Sequence, residues 1–256
     1  MIITLPQVLV FFLIFARIIG LLTQAPVFSR KDTLMMGKIT LAIWLSGLLI
    51  FVVPLPVHYP ANAIAFTLAL ISEFFIGYLI GFVSYLLVIG LEMAGSLMDT
   101  QAGLSVATIL DPSSGRNVTI ISQLLNLTAL IIFLQLNGLH MVLAATVKSF
   151  SLIPPGAPVN YTEAVSYVMK LGGYIFEVGV QMAMPIMLVV FMIDFAFGLL
   201  NRTAEQINVF QLGFQVKPPI SILVLMAMTP GLIGSISAIV EKLMEHTLTL
   251  FHVMQL

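Results

Sequence analysis

The sequence predicts an all-α membrane protein with about six long hydrophobic helical segments, some of them kinked. Of its 256 residues, 60% are hydrophobic and 8% are charged, and the mean hydropathy is +1.12. An ordinary soluble domain carries about 25% charged residues, and a chain of this size could not bury so much apolar surface in one soluble core. The apolar residues must therefore face lipid or neighbouring protein.

Six segments are long enough to cross a bilayer, whose hydrocarbon core needs about 20 apolar residues in a helix. The first lacks a basic flank and exceeds the apolar length of a signal peptide, so it is expected to stay in the mature protein. The third and fifth are longer than one perpendicular crossing requires, so each should be tilted, bent or packed inside protein. The segments cover roughly 5–22, 39–57, 63–91, 121–147, 171–200 and 218–240.

The basic residues of the connections predict an orientation. Six of them fall in the connections 23–38, 92–120 and 201–217, against three on the alternate side. Because cytoplasmic loops carry an excess of Lys and Arg, these three connections are predicted to face the cytoplasm, with both termini outside. The six are Arg30, Lys31, Lys38, Arg116, Arg202 and Lys217, and the three are Lys148, Lys170 and Lys242.

Four ionisable residues lie inside apolar runs: Arg17, Glu73, Glu177 and Asp194. A charge in lipid is costly, so each should face protein, water or a partner, and each is a candidate functional residue. Arg17 lies near the end of its run, where its long side chain could instead extend to the membrane surface. For Glu177 and Asp194, structural pairing and a role on an ion or polypeptide path remain equally open.

The stretch "EFFIGYLIG" places Glu73, Gly77 and Gly81 at intervals of four residues, hence near one face of a helix. Such a small-residue face lets another helix backbone approach closely. It predicts a helix packing seam, with a functional face around Glu73 as the alternative. Further along, "QMAMP" sets Pro185 inside an apolar segment, where the missing N–H predicts a kink.

No sequence pattern points to catalysis or to a cofactor. The histidines at 58, 140, 246 and 252 are scattered, and the chain has no HExxH, Walker A, GxGxxG or GxSxG motif. There are no cysteines, which excludes disulfides and thiolate metal sites. A net charge of -1 leaves no basic surface for nucleic acid. We predict a protein that is not an enzyme, with no cofactor and no metal.

The connection 92–120 combines a polar start with an apolar run, "LSVATIL", and a turn cluster, "DPSSGRN". From these residues alone it is either a surface loop or a mobile apolar loop that could insert into a cavity. The stretch "NRTAEQINVFQLGFQVK", residues 201–217, interrupts the most apolar part of the chain with amides and two basic residues.

These residues resemble the FliR family of flagellar biosynthetic proteins, the R subunit of the type III export gate, which is homologous to the T subunit of virulence injectisomes. The resemblance runs nearly end to end. It rests on "FARIIGLLTQAPVFSRKDT" near the start, on "AGSLMDTQAGLSVATILDP" and "LNGLHMVLAATVKSFSLIPPG" in the middle, and on residues 201–217 near the end. Gly213, in "LGF", is similar to the flagellar rather than the injectisome version. Glu205 and Gln215 stand where the family usually has prolines, which makes this region less rigid.

The resemblance implies a subunit of a protein export gate in the bacterial inner membrane and flagellar basal body, raised toward the periplasm. One copy would join several P and Q subunits around a pore for unfolded flagellar subunits, with the B subunit at the cytoplasmic entrance and the A subunit nearby. Residues 1–165 would be the P-like part, which includes the plug loop, and residues 166–256 the Q-like hairpin. Nothing in the chain binds nucleotide, so energy would come from partners.

Two sets of residues carry the implied roles. A plug loop inside the pore, here called the plug segment, covers about 105–117 and includes Ser105, Val106, Ala107, Thr108, Ile109, Leu110, Asp111, Pro112 and Arg116. The cytoplasmic entrance loop, here called the entrance segment, is residues 201–217, with Asn201, Arg202, Glu205, Gln206, Asn208, Val209, Phe210, Gly213, Phe214 and Lys217 in contact with the B subunit or closing the channel.

Two other functions remain open at the level of sequence. An ion-coupled secondary transporter would use Glu73, Glu177 and Asp194 as coupling carboxylates, although the two related halves common in such proteins are not evident here. A scaffold for assembly without pore contact would instead make changes in the plug segment silent.

Overall fold

The computed structural model describes residues 5–29, 33–53, 62–105, 119–203 and 208–255, and all regular secondary structure in these ranges is helical. This confirms the predicted all-α class. The helices are α1 Leu5–Gln24, α2 Met35–Leu49, α3 Ala63–Ala102, α4 Ile120–Gln135, α5 Gly138–Leu152, α6 Tyr161–Thr203, α7 Val209–Glu241 and α8 Leu243–Met254.

Four stretches of helix are long and apolar enough to cross a membrane, or five if the bent pair α4 and α5 counts as one span. They are Pro6–Gln24, Ala63–Ala102, Tyr161–Thr203 and Phe210–Met254. The estimate of six was approximate, because the segment expected at 39–57 is a helix of only 15 residues, α2. Pro54 and Pro56 follow α2 in sequence, and helices usually end before a proline.

The segment expected at 121–147 is two helices that meet at an angle of 64°. Asn137 lies between them with φ 56° and ψ 30°, in the left-handed region. Asparagine enters this region more readily than other residues with a side chain, because its short amide can hydrogen-bond locally. An apolar run read by hydropathy alone does not register such a break.

The helices α3 and α6 are longer than their predicted segments, at 40 and 43 residues. At 1.5 Å per residue each is about 60 Å long or more, roughly twice the hydrocarbon thickness of a bilayer. Helix α6 continues through Pro185. The prediction that these segments exceed a single crossing is thereby confirmed.

Asparagine side chains cap three of the long helices at their N-termini. The Oδ1 atoms of Asn62, Asn160 and Asn208 accept the backbone N–H groups of residues three positions later, at 3.0, 3.3 and 3.2 Å. An N-cap satisfies a donor that the helix leaves unpaired and contributes about 1 kcal/mol. These polar residues therefore fix where α3, α6 and α7 begin.

Contacts within the chain form two units, to both of which α3, α6 and α7 contribute. The first comprises residues 1–86, 133–172 and 239–256, and the second comprises 87–132 and 173–238. The predicted division at residue 165 concerns likeness to two other subunits rather than contacts within this chain. It stays a prediction.

The first unit is built on close packing of α1 against α2 and α3. Buried side chains of α1, including Ile14, Ile18 and Leu22, form a cluster with Ala42 and Phe150. A Cβ atom added at Gly77 would collide with the backbone carbonyl of Arg17. Only glycine fits there, so the predicted packing seam on α3 is confirmed.

In the second unit, the end of α3 packs against the start of α4. The buried carboxylate of Asp99 accepts the backbone N–H groups of Ile121, at 2.9 Å, and Ser122, at 3.0 Å. Glu92 adds a bond from Asn126 Nδ2 at 2.5 Å. A carboxylate at a helix N-terminus satisfies unpaired donors and interacts favourably with the helix dipole. This joins α3 to α4 across the segment that separates them in sequence.

The long helices differ in how much of their apolar surface the chain itself covers. In the most hydrophobic 18-residue stretch of α3, 67% is buried within the chain. The corresponding share is only 17% in α6 and 11% in the α7–α8 stretch. Large apolar side chains such as Phe176, Leu188 and Phe191 of α6 are more than half exposed. The outer faces of α6 and α7 must therefore meet lipid or other proteins.

Candidate functional site

A cavity in the second unit brings together residues from the end of α6 and the start of α7. Its volume is about 530 Å³, within the range of ligand-binding pockets. Five of the predicted entrance residues line it: Asn201, Phe210, Gly213, Phe214 and Lys217.

Besides α6 and α7, the end of α3 also lines the cavity. Thr100 and Gln101 lie in its last turn, and Gly103 and Ser105 follow it. Gly103 has a φ of 77°, which favours glycine, and a Cβ there would lie 3.7 Å from the ring of Phe214. Ser105 is the first residue of the predicted plug segment. The structure thus places the start of that segment beside residues of the entrance segment.

The entrance segment is mostly helical rather than the continuous connection that its composition predicted. Helix α6 extends to Thr203 and α7 starts at Val209, with the side chain of Asn208 capping α7. The polar residues lower the hydropathy of this stretch, but Gln, Leu and Lys are good helix formers. The described residues of this segment are therefore helical up to Thr203 and again from Val209 onward.

The other predicted entrance residues have separate positions. Arg202 is exposed in the last turn of α6, and Asn208 is exposed just before α7. Glu205 and Gln206 lie outside the described residues. So do all predicted plug residues except Ser105, namely Val106, Ala107, Thr108, Ile109, Leu110, Asp111, Pro112 and Arg116.

An ion pair forms part of the cavity wall. Lys217 Nζ lies 2.5 Å from Asp194 Oδ1, with 23% and 48% of the two side chains exposed. The pair joins α6 to α7 and supplies a partner for one of the carboxylates predicted inside an apolar run. Because both groups are partly exposed, the pair contributes only about 0.2–1 kcal/mol to stability.

Two aromatic side chains add an apolar surface next to this pair. The rings of Phe210 and Phe214 are 4.8 Å apart at an interplanar angle of 83°, an edge-to-face arrangement that is favourable for aromatic pairs. Phe210 is nevertheless 76% exposed. Such an exposed ring is available to contact something outside the chain.

Arg17 and Glu73 form a separate, fully buried network in the first unit. Arg17 Nε lies 2.6 Å from Glu73 Oε2, and both side chains are 1% exposed or less. Arg17 also donates to Ser149 Oγ at 2.9 Å and to the carbonyl of Ile153 at 3.0 Å. The backbone N–H of Gly156 donates to Glu73 Oε1 at 2.9 Å. This network ties α1 and α3 to the region that follows α5.

The expectation that Arg17 could extend to the membrane surface is wrong. Its guanidinium lies 4.2 Å from the centre of the Phe150 ring and is completely buried. Burying a charge is tolerated only when it is paired and its hydrogen bonds are satisfied, and Glu73 provides the opposite charge. The packing seam and the charged residue on the same face of α3 are therefore parts of one structural contact.

Each of the three carboxylates of the transporter hypothesis has a different partner within the chain. Glu73 is paired with Arg17, and Asp194 with Lys217. Glu177 is exposed on α6 and accepts a bond from Gln181 Nε2 at 3.2 Å. In the part of the chain that the structure describes, no group of three His, Cys, Asp or Glu residues could hold a metal ion. The structure gives the transporter hypothesis no support.

Several residues of the site were missed by sequence reasoning. Asp99 was not among the predicted residues, although it is buried and its carboxylate accepts backbone N–H groups at the start of α4. Gln101 and Gly198 line the cavity, yet neither was predicted as a site residue, although Gln101 lies in the family-like stretch 94–112. The clearest signal was the charge of Asp99 in a stretch of small and apolar residues, since such a charge requires partners.

The chain is similar over nearly its full length to known bacterial proteins. The family model described as "Bacterial export proteins, family 1" matches residues 8–243. The flagellar biosynthetic protein FliR of Pectobacterium carotovorum subsp. carotovorum is 31% identical over 220 residues, 86% of this chain and 84% of that protein. FliR of Escherichia coli (strain K12) is 29% identical, over 84% of this chain and 82% of that protein. The Yop proteins translocation protein T of Yersinia pestis is 27% identical, over 85% and 84%.

Proposed function

The chain belongs to the bacterial export proteins, family 1, and on that basis we propose that it is a membrane component of the flagellar type III protein export gate. The observation that carries this is the family match over residues 8–243, together with relatives that are named flagellar biosynthetic proteins. In this role the chain lines and seals a pore for unfolded flagellar subunits. It acts by gating rather than by catalysis, and its energy comes from its partners.

The exposed apolar faces of α6 and α7 support a hetero-oligomer. Only 17% and 11% of their most hydrophobic windows are buried within this chain. The same helices carry Glu177, Asp194 and Lys217, which are costly in lipid. Neighbouring P and Q subunits would cover both kinds of surface, with one copy of this chain, its residues 1–165 P-like and its residues 166–256 Q-like.

The lengths of α3 and α6 support a complex raised above the plane of the inner membrane toward the periplasm. At 40 and 43 residues, each is about twice as long as a bilayer crossing requires. The excess length would be surrounded by other subunits. The basic residues Arg202 and Lys217 support a cytoplasmic position for the entrance segment, where the B subunit would hold it, with the A subunit close by.

Gating would be passive. At rest the plug segment, together with apolar and Met side chains, blocks water and ions, and an unfolded substrate displaces them. Ser105, at the start of this segment, lines the same cavity as Phe210 and Phe214 of the entrance segment. Gly213 and the flagellar names of the relatives favour a flagellum over an injectisome.

The test is the composition of the complex that this chain forms. The tagged chain is expressed with its neighbouring export genes, extracted in mild detergent, and the eluted species is analysed by native mass spectrometry. A discrete large complex with P and Q subunits is expected, and a strain that lacks the chain should not secrete flagellar subunits. A monomer or homodimer, with the partners present in the same membranes, would contradict the proposal.

A further inference from the structure

We propose that the cavity lined by Gln101, Gly198, Asn201, Phe210 and Phe214 is a contact site for the export substrate itself. It would hold a short extended stretch of unfolded polypeptide, with one apolar side chain against the two phenyl rings and the adjacent peptide groups on the amides. This inference rests on the proposed export function. It adds a defined site where the substrate touches this chain.

Room for such a segment comes from glycines. A Cβ built at Gly198 meets no atom within 4 Å, and one built at Gly103 meets only the ring of Phe214, at 3.7 Å. The cavity volume of about 530 Å³ lies within the range of sites that enclose a ligand. The space is therefore large enough for side chains, and no side chain of these two residues occupies it.

The polar groups of the cavity match peptide groups. Within the described ranges, the side chains of Gln101 and Asn201 make no hydrogen bond, so both amides keep donors and acceptors available. Thr100 already donates its hydroxyl to the carbonyl of Ser96 at 2.8 Å and can only accept. Amides can pair with a main chain of any sequence, which an unfolded and variable substrate requires.

The charges of the cavity argue against an ionic ligand. Its ion pair, Asp194 and Lys217, is internally compensated at 2.5 Å. An anion would have to compete with the Asp194 carboxylate for Lys217, and a cation would have to compete with Lys217. A neutral peptide segment meets neither difficulty.

The aromatic side chains supply the apolar part of the contact. Phe210 is 76% exposed and Phe214 is 42% exposed, and they lie edge to face. Covering these exposed rings with an apolar group is favourable, because it removes apolar surface from water. A lipid tail could cover the rings but would leave the amides of Gln101 and Asn201 without partners, which disfavours it.

Site-specific photocrosslinking in assembled gates tests the contact. Benzoylphenylalanine replaces Phe210 or Asn201 in the full chain, and a flagellar subunit fused to a tightly folded domain is stalled in export. The matched control is the same replacement at Phe176, an aromatic residue of α6 that is 59% exposed and far from the cavity in sequence. Adducts with the substrate at 210 and 201, but not at 176, are expected.

A second variant fills the cavity. Gly198→Leu should reduce secretion by about tenfold or more, the equivalent of one lost apolar contact. Gly173→Leu on the same helix, where an added Cβ also meets nothing within 4 Å, should secrete normally. Native mass spectrometry confirms that both variants enter the gate. If the Gly198→Leu chain does not enter the gate, the crosslinking experiment alone tests whether the cavity contacts the substrate.

Three results would overturn the contact site: adducts only with another gate subunit or with lipid, no adducts although the stalled substrate is present, or normal secretion by an assembled Gly198→Leu gate. These outcomes leave the proposed function intact. Failure of the export function itself would show as a chain that does not join P and Q subunits, or as normal secretion without the chain.

Discussion

Lys217 Nζ lies 2.5 Å from Asp194 Oδ1, so the only acidic residue in the apolar run 178–204 is neutralised by a lysine from the next helix. The pair explains how α6 carries a carboxylate between Ile193 and Phe195. It also connects α6 to α7 at the wall of the cavity, beside the residues that we propose touch the substrate. The ion pair that stabilises the charge of Asp194 is thus also part of the candidate site.

Exchanging the charges of this pair tests its role. Asp194→Asn or Lys217→Met should each lower stability by only about 0.2–1 kcal/mol, because the pair is partly exposed. Each should nevertheless reduce secretion if the cavity must be neutral, because one charge is left uncompensated. Secretion assays on assembled gates check this. The double variant Asp194→Lys with Lys217→Asp should recover most secretion, and a double variant as defective as the singles would contradict pairing as the cause.

Removing Arg17 should destabilise the first unit strongly. Arg17→Met leaves Glu73 as an uncompensated buried charge, at a cost of about 3–5 kcal/mol. Thermal unfolding of the purified complex in detergent measures the loss. The double variant Arg17→Met with Glu73→Met should be more stable than the single one, and Lys148→Met, at an exposed position of α5, should change little.

A methyl group at Gly77 should disturb the packing of α1 on α3. The added Cβ would collide with the carbonyl of Arg17, and such overpacking costs about 1–3 kcal/mol. The same substitution at Gly173, which has open space around it, is the control. Unfolding midpoints of Gly77→Ala and Gly173→Ala complexes compare the two sites. Equal midpoints would show that α1 and α3 do not approach as closely as the structure indicates.

Asp99 should hold the start of α4. Asp99→Ala leaves the N–H groups of Ile121 and Ser122 without their carboxylate acceptor, and an unsatisfied buried donor costs about 1–3 kcal/mol. Hydrogen exchange of a peptide covering 120–127 should become faster. Thr100→Ala removes only a hydroxyl that bonds within its own helix and should leave this exchange unchanged. Unaltered exchange in Asp99→Ala would contradict the capping role.

Deleting residues 106–113 should raise ion leakage in cells that assemble the gate, if the plug segment seals the pore. Membrane conductance measured with and without the complex checks this, and the full-length chain is the reference. Unchanged conductance in an assembled complex would count against a sealing role and would favour the scaffold alternative.

Hydropathy predicted the helical class and most of the long apolar segments, but not their breaks. Asn137 bends the segment expected at 121–147, and α2 ends before the two prolines that follow it. In the site, the entrance residues Phe210, Phe214 and Lys217 were predicted from the family pattern and line the cavity. Gln101, although it lies in a family-like stretch, and Gly198 were not predicted as site residues, because both reach the cavity only through the positions of α3 and α6.

The sequence by itself determined the membrane class, the all-α fold and the family, because hydropathy, helix propensity and motif spacing are properties of neighbouring residues. Only the tertiary structure decided that Arg17 pairs with Glu73, that Asp99 caps a helix 22 residues away, and that Lys217 meets Asp194. Such pairings depend on the rotation and axial position of whole helices against each other. Those are set by the sum of many weak packing contacts, which no local stretch of sequence contains.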